Sequence, residues 1–116
     1  MKLRSVAIAI TAITCIAPPT LAQRDTDATF IADFKRYAAY FPEVKNFLIE
    51  GIESRPDLDI NSAKAVCDDL QKGATMEQIE NHRAGIIAKR ADPFVRRLLA
   101  VNTAIVQTLA TKYYCP

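Results

Sequence analysis

Rings recur along the chain at Phe30, Phe34, Tyr37 and Phe41, in steps of four, three and four, with polar or small residues filling most positions between them. That spacing lays the rings along one stripe of an α-helix. Pro42 interrupts the stripe, and Val44, Phe47, Leu48 and Ile52 resume helical spacing after it. Because proline is well suited to a first helical position, the region predicts two short helices, or one kinked helix. Residues 54–61 carry Pro56 and the alternating polar residues Asp57, Asp59 and Asn61, the composition of a loop that leads into a helix near Asn61 or Ser62. In that helix Ile60, Ala63, Val66, Cys67 and Leu70 share a face, which turns Cys67 inward, and Gly73 supplies the stop.

Thr75 and Gln78 have the spacing of a capping box, so a further helix is expected from there to about Arg90. Asp92 followed by Pro93 is a cap with a proline at the first helical position, and it opens the longest pattern: Phe94, Leu98, Val101, Ile105, Leu109 and Tyr113. No run alternates with period two between turn signals, no internal repeat is visible, and the chain has only three glycines. The prediction is all-α: a small antiparallel bundle of four to five helices closed by one disulfide.

The first residues change the picture in a different way. Lys2 and Arg4, an apolar run over residues 6–17, Pro18-Pro19 and then Thr20-Leu21-Ala22 have the form of a secretory signal over residues 1–22, leaving a helical domain over 23–116. Its first few residues, Gln23 to Thr26, are polar and are expected to fray. The apolar run is shorter than the roughly 20 residues that span a bilayer, so no transmembrane anchor is expected once the signal is removed. Cys15 lies within the signal, and Ala12-Ile13-Thr14 before it resembles a bacterial lipoprotein box poorly. The reading is therefore a protein that is secreted or associated with the cell envelope.

Of the 15 basic residues, Lys2 and Arg4 leave with the signal, so 13 remain against 13 acidic ones and the mature net charge is zero. Such a balance lacks the basic excess that nucleic-acid binders use to displace counterions, and no nucleic-acid partner is expected. Export also places the two remaining cysteines, Cys67 and Cys115, where disulfides persist, and each is the other's only partner. A bridge closing so long a loop stabilises a fold by about 2 to 4 kcal/mol.

The run Ala65-Val66-Cys67-Asp68-Asp69-Leu70-Gln71-Lys72-Gly73, then a capped helix and a terminal Tyr114-Cys115-Pro116, resembles the small exported actinobacterial proteins known as domain of unknown function 732. The likeness covers roughly residues 47–116 and includes Gly51-Ile52. It implies a secreted or envelope-located helical domain with the same disulfide and no established activity. The aromatic segment from Phe30 to Phe47 is longer than that pattern.

Candidate chemistry is sparse. His82 is the single imidazole, on the polar side of its helix, too little for a hydrolytic triad or a metal site without a second ligand, so no enzyme activity, metal or cofactor is expected. Asp57, Asp59, Asn61 and Asp68 imitate part of a calcium loop, but Ser62 stands where the loop needs glycine, and helix capping accounts for the acids. Tyr113 and Tyr114 are phenols of the kind that ligate haem iron once ionised, although packing over the disulfide explains them. Two surfaces remain. Phe34, Tyr37, Tyr40 and Phe47 are candidates for a groove holding a small apolar ligand such as a lipid or haem, against the plainer reading of core. Lys89, Arg90, Arg96 and Arg97 flank the Asp92-Pro93 turn as a basic knob for an anionic partner, with Arg96 and Arg97 expected to gain nothing from the preceding helix. The leading functional expectation is a non-catalytic interaction or structural module of the bacterial cell envelope, with an unidentified protein or envelope component as partner. A carrier of an apolar ligand among the N-terminal aromatics is the alternative.

Overall fold

The computed structural model describes residues 20–116, which form α1 (Leu21–Ala38), α2 (Lys45–Ser54), α3 (Pro56–Gln71), α4 (Met76–Ala88) and α5 (Pro93–Tyr113). Among the described residues there is no strand, and no helix is long and apolar enough to cross a membrane. Most of the expected signal, with Lys2, Arg4 and Cys15, lies outside the described residues.

Local chemistry explains each helix start. Thr20 caps α1: its hydroxyl accepts from the Gln23 amide at 3.2 Å while the Gln23 side-chain oxygen accepts from the Thr20 amide at 2.8 Å. Gln23 to Thr26 are helical with this cap in place, and α1 begins two residues before the expected cleavage point, so cleavage there would take the Thr20 cap away. Pro42 stands in the turn between α1 and α2, not at a first helical position. There the Val44 amide donates to the Phe41 carbonyl at 3.0 Å, and buried Val44 leads into α2 at Lys45. The aromatic stripe thus makes two helices.

The third helix starts at Pro56, earlier than Asn61 or Ser62. Pro56 takes the first helical position, Asp57 and Asp59 sit in the first turn where the helix dipole favours negative charge, and Ile60 is buried. Composition read those acids as loop, whereas their position makes them helix starters. Gly73 ends this helix region with φ of 105°, a conformation that side-chain-bearing residues rarely adopt. The capping box of α4 is formed by Thr75 and Gln78, and the Asp92 carboxylate accepts from the Phe94 amide at 2.8 Å to open α5.

The hub is α5, which packs against each of the other four helices. Its Val101, Ile105, Val106, Leu109 and Ala110 meet Phe30 and Phe34 of α1, Leu48 and Ile52 of α2, and Ala63 and Val66 of α3 in one core. Side-chain pairs give the directions. Asp59 with Asn102 and Cys67 with Cys115 place α3 parallel to α5, while Asp33 with Lys112 and Glu43 with Arg97 run the α1 side antiparallel to it. The helix α4 turns back between the two parallel neighbours. The Cys67–Cys115 disulfide joins Cα atoms 5.0 Å apart across a separation of 48 residues, tying the chain end to α3.

Candidate functional site

Beside the disulfide, the C-terminal residues are bound to α1 through two carboxylates, the buried Asp33 and the half-buried Asp27. Asp33 lies on the same helical face as Phe30, Phe34 and Tyr37 and is only 9 % exposed. Its oxygens accept from the Tyr113 hydroxyl, from Lys112 Nζ at 2.9 Å and from Arg36 Nε at 2.9 Å. The Tyr113 hydroxyl, then Lys112 and Arg36, hold its carboxyl well below the usual carboxylate range, against the opposing effect of burial. One residue further, the Tyr114 hydroxyl donates to Asp27. Burial, reinforced by Asp27, pushes that phenol far above its ordinary value. The Tyr114 ring lies 5.5 Å from that of Phe30, and Lys64 Nζ stands 5.6 Å over it. Both tyrosine hydroxyls thus have partners inside the fold, and both phenols are shifted away from the ionised form that iron ligation needs.

The four aromatics expected to line a groove are not brought together. Phe34 is fully buried in the core, Tyr37 is half-buried, Tyr40 is 70 % exposed beyond the end of α1, and Phe47 is 58 % exposed on α2. None of them lines the clefts flanking α4 or the cleft beside the C-terminus. The physical reason is the turn at Pro42: by ending α1 it carries Phe47 onto a second helix, away from the buried face of Phe34.

The basic knob also divides. Arg96 reaches back to the carbonyls of Arg90 at 2.7 Å and Ala91 at 3.0 Å, which lie beyond the end of α4, so it braces the turn between α4 and α5 rather than the last carbonyls of the helix. Arg97 pairs with Glu43 at 2.9 Å and lies 5.6 Å over the Phe41 ring. Lys89 and Arg90 are exposed and, among the described residues, make no ion pair. Next to them an aromatic pair faces outward: Phe47 and Phe94, the latter 40 % exposed, pack edge to face at 5.1 Å between ring centroids. The start of α5, the end of α4 and the start of α2 thereby present two rings and two cations on one end of the molecule.

The remaining candidates are dispersed by helix α3 and by ion pairing. Asp57 pairs with Arg55 at 3.0 Å, Asp59 accepts from Asn102 at 3.1 Å, and Asp68 pairs with Lys72 at 2.8 Å. A continuous helix cannot wrap these acids around one cation, and no group of three metal-ligating side chains occurs among the described residues. Burial pushes the Asp59 carboxyl up, partly offset by Asn102. His82 is exposed on α4 and borders a shallow cleft with Asp69, Gln78 and Ile86.

Sequence reasoning passed over Asp33, Asp27 and Gln107. For two of them a signal was present: Asp33 interrupts an aromatic stripe, and Gln107 stands among Ile105, Val106 and Leu109, so each is a polar residue on a face that the periodicity assigns to the core. No family model, curated protein or solved structure matches the chain.

Proposed function

We propose that the protein is a secreted, non-catalytic interaction module of a bacterial cell envelope that makes peripheral contact with an anionic lipid surface through the Phe47, Phe94, Lys89, Arg90 end. The observation that carries this reading is the outward-facing aromatic pair beside two cations that make no ion pair among the described residues. Rings of this kind settle at a headgroup boundary, while cations draw the domain toward anionic lipid at about 1 kcal/mol each. The zero net charge of residues 23–116 makes the attraction local to this end. Export rests on the signal-like residues 1–22, and the resemblance to exported actinobacterial proteins supports the same compartment. No reaction is assigned, because the strongly shifted groups Asp33 and Tyr114 serve to hold the chain end.

Flotation with phosphatidylglycerol and with phosphatidylcholine vesicles tests the contact. Binding is expected to the anionic vesicles alone, to weaken with salt, and to fall roughly 30-fold in the Lys89→Gln/Arg90→Gln variant. Phe47→Ser should weaken it further. Equal binding to both vesicle types, or none to either, would sink the proposal, and capture of a protein in place of lipid would redirect it. Amino-terminal sequencing of the exported form, expected to begin at Gln23, tests the export.

A further inference from the structure

Both amides of Gln23 are held by a single residue, Thr20. The backbone amide donates to the Thr20 hydroxyl at 3.2 Å, and the side-chain oxygen accepts from the Thr20 amide at 2.8 Å. That reciprocal pairing folds the side chain back over the start of α1, on the same side as its own α-nitrogen. The side chain is exposed, and among the described residues neither amide has another hydrogen-bond partner. Thr20 lies before the expected cleavage point, so release of residues 1–22 frees both groups in one step.

The helix that remains is fixed from further along. Asp27 accepts from the Tyr114 hydroxyl and Asp33 from that of Tyr113, so α1 stays docked when its cap is removed. Gln23 then becomes the first residue, and it forms one wall of a cleft of about 210 Å³ shared with Asp27, Lys64, Tyr113 and Tyr114. A free α-ammonium there would stand at the positive end of the helix dipole, in a cleft that already holds the Lys64 cation. Asp27 is the one acid in that lining, and it already accepts from Tyr114. The place therefore favours a neutral chain end over a charged one.

We propose that residue 23 of the exported chain is converted to pyroglutamate, at a modification site that cleavage itself creates. This rests on the export reading above, in which the signal ends at Ala22. The deprotonated α-nitrogen attacks the side-chain amide carbon Cδ; the N–Cδ bond forms and the Cδ–Nε2 bond breaks. The side-chain nitrogen leaves as ammonia, taking up the proton that the α-nitrogen gives up. Nothing is oxidised or reduced, and no co-reactant is consumed. Closure is intramolecular, so the reacting atoms are always within reach of each other. An α-amine titrates at about 8, which leaves enough of it deprotonated at neutral pH. The product carries no terminal charge, and without a free amine that end of the chain resists aminopeptidases.

The intact mass of the exported protein, purified from its own host, tests this. The expected mass is that of residues 23–116 less two hydrogens for the disulfide and less one ammonia. Pyroglutamyl aminopeptidase should then remove residue 23 and leave a chain beginning at Arg24. Gln23→Ala should keep the full mass of its chain and be insensitive to that enzyme. A chain released in vitro to begin at Gln23 gives a second reading that does not depend on export. Folded at neutral pH, it should lose ammonia at a rate within about threefold of that in urea, because chain ends open at almost no free-energy cost. Slower loss than that shows that the helix start withholds Gln23 and overturns the proposal. An exported chain with an unmodified Gln23 overturns it and leaves export standing. A chain that begins elsewhere overturns it together with the cleavage point, and one that keeps residues 1–22 overturns the export reading as well. None of these outcomes bears on vesicle binding.

Discussion

Near its C-terminus, α5 is tied to α1 by Asp33 and Asp27, to α3 by the disulfide, and to Phe30 by two tyrosine rings. Along its middle, the same helix meets α4, which contributes Ile79 as its one buried residue and leaves Ile86 largely in solvent. The contrast shows that this small domain concentrates covalent, ionic and aromatic contacts at the chain end and leaves one helix lightly held. Local opening takes place where few apolar contacts must be lost, so α4 should open well below the free energy of global unfolding.

Removing core atoms on the two sides should give unequal costs. Phe34→Ala empties a fully buried site and is expected to destabilise by about 3 to 5 kcal/mol, against about 2 kcal/mol for Ile79→Ala, both read from urea unfolding. Equal costs would mean that α4 is as firmly held as α1. Replacing Cys67 and Cys115 by serine should remove about 2 to 4 kcal/mol, and reductant should then have no further effect on the transition.

Asp33→Asn should cost about 2 kcal/mol at neutral pH, because it replaces a charged acceptor of three donors by a neutral one. The folded carboxyl is depressed, so its stabilisation is full above the unfolded value near 4 and is lost as pH falls through the folded value. The variant and the parent should therefore converge in acid. Asp59 has the opposite sign. Burial raises its carboxyl, its contribution is full below the unfolded value and is lost as pH rises through the folded one, and Asp59→Asn should flatten that part of the profile. Unfolding measured across pH 2 to 7 separates the two.

A smaller and local effect is expected from Gly85→Ala. Gly85 lies inside α4 with nothing close to where a methyl would project, so the substitution should stabilise the helix by up to about 1 kcal/mol. Hydrogen exchange should show slower exchange in α4 with little change in α5. If α4 amides are already as protected as those of α5 in the parent, the two regions do not differ as described.

Much of the fold was legible because it is written in local rules. The Thr75 capping box, the Asp92-Pro93 start, the glycine stop at Gly73 and the inward turn of Cys67 each depend on a few neighbouring residues, and each is where the pattern put it. The start of α3 was missed since Pro56, Asp57 and Asp59 belong equally to loops and to first helical turns, and burial of Ile60 decides between them. The aromatics were harder still. Phe34 and Phe47 have the same hydrophobicity, yet one is in the core and the other faces out, because the turn at Pro42 sets where α2 points. Arg96 and Arg97 looked idle because the acceptor of Arg97, Glu43, is 54 residues away, and those of Arg96, the Arg90 and Ala91 carbonyls, come within reach only through the shape of the turn. The same holds for the carboxylate contacts: Asp33 and Tyr113 are 80 residues apart, and no local window contains both.

The bridge from Cys67 to Cys115 also partitions the molecule as a covalent object. It draws a ring that contains α4 and α5 whole and leaves α1 and α2 as an open arm. Cutting the backbone at the exposed Lys89-Arg90 turn opens the ring without releasing a fragment, since the two ends stay joined through sulfur. Cutting in the turn between α1 and α2 frees an arm held by non-covalent contacts alone, the packing of Phe30 and Phe34 and the hydrogen bonds of Asp33 and Asp27. The surface that carries the exposed cations and rings therefore sits where a protease can nick the chain and still leave one molecule, which is a tolerance the open arm does not share.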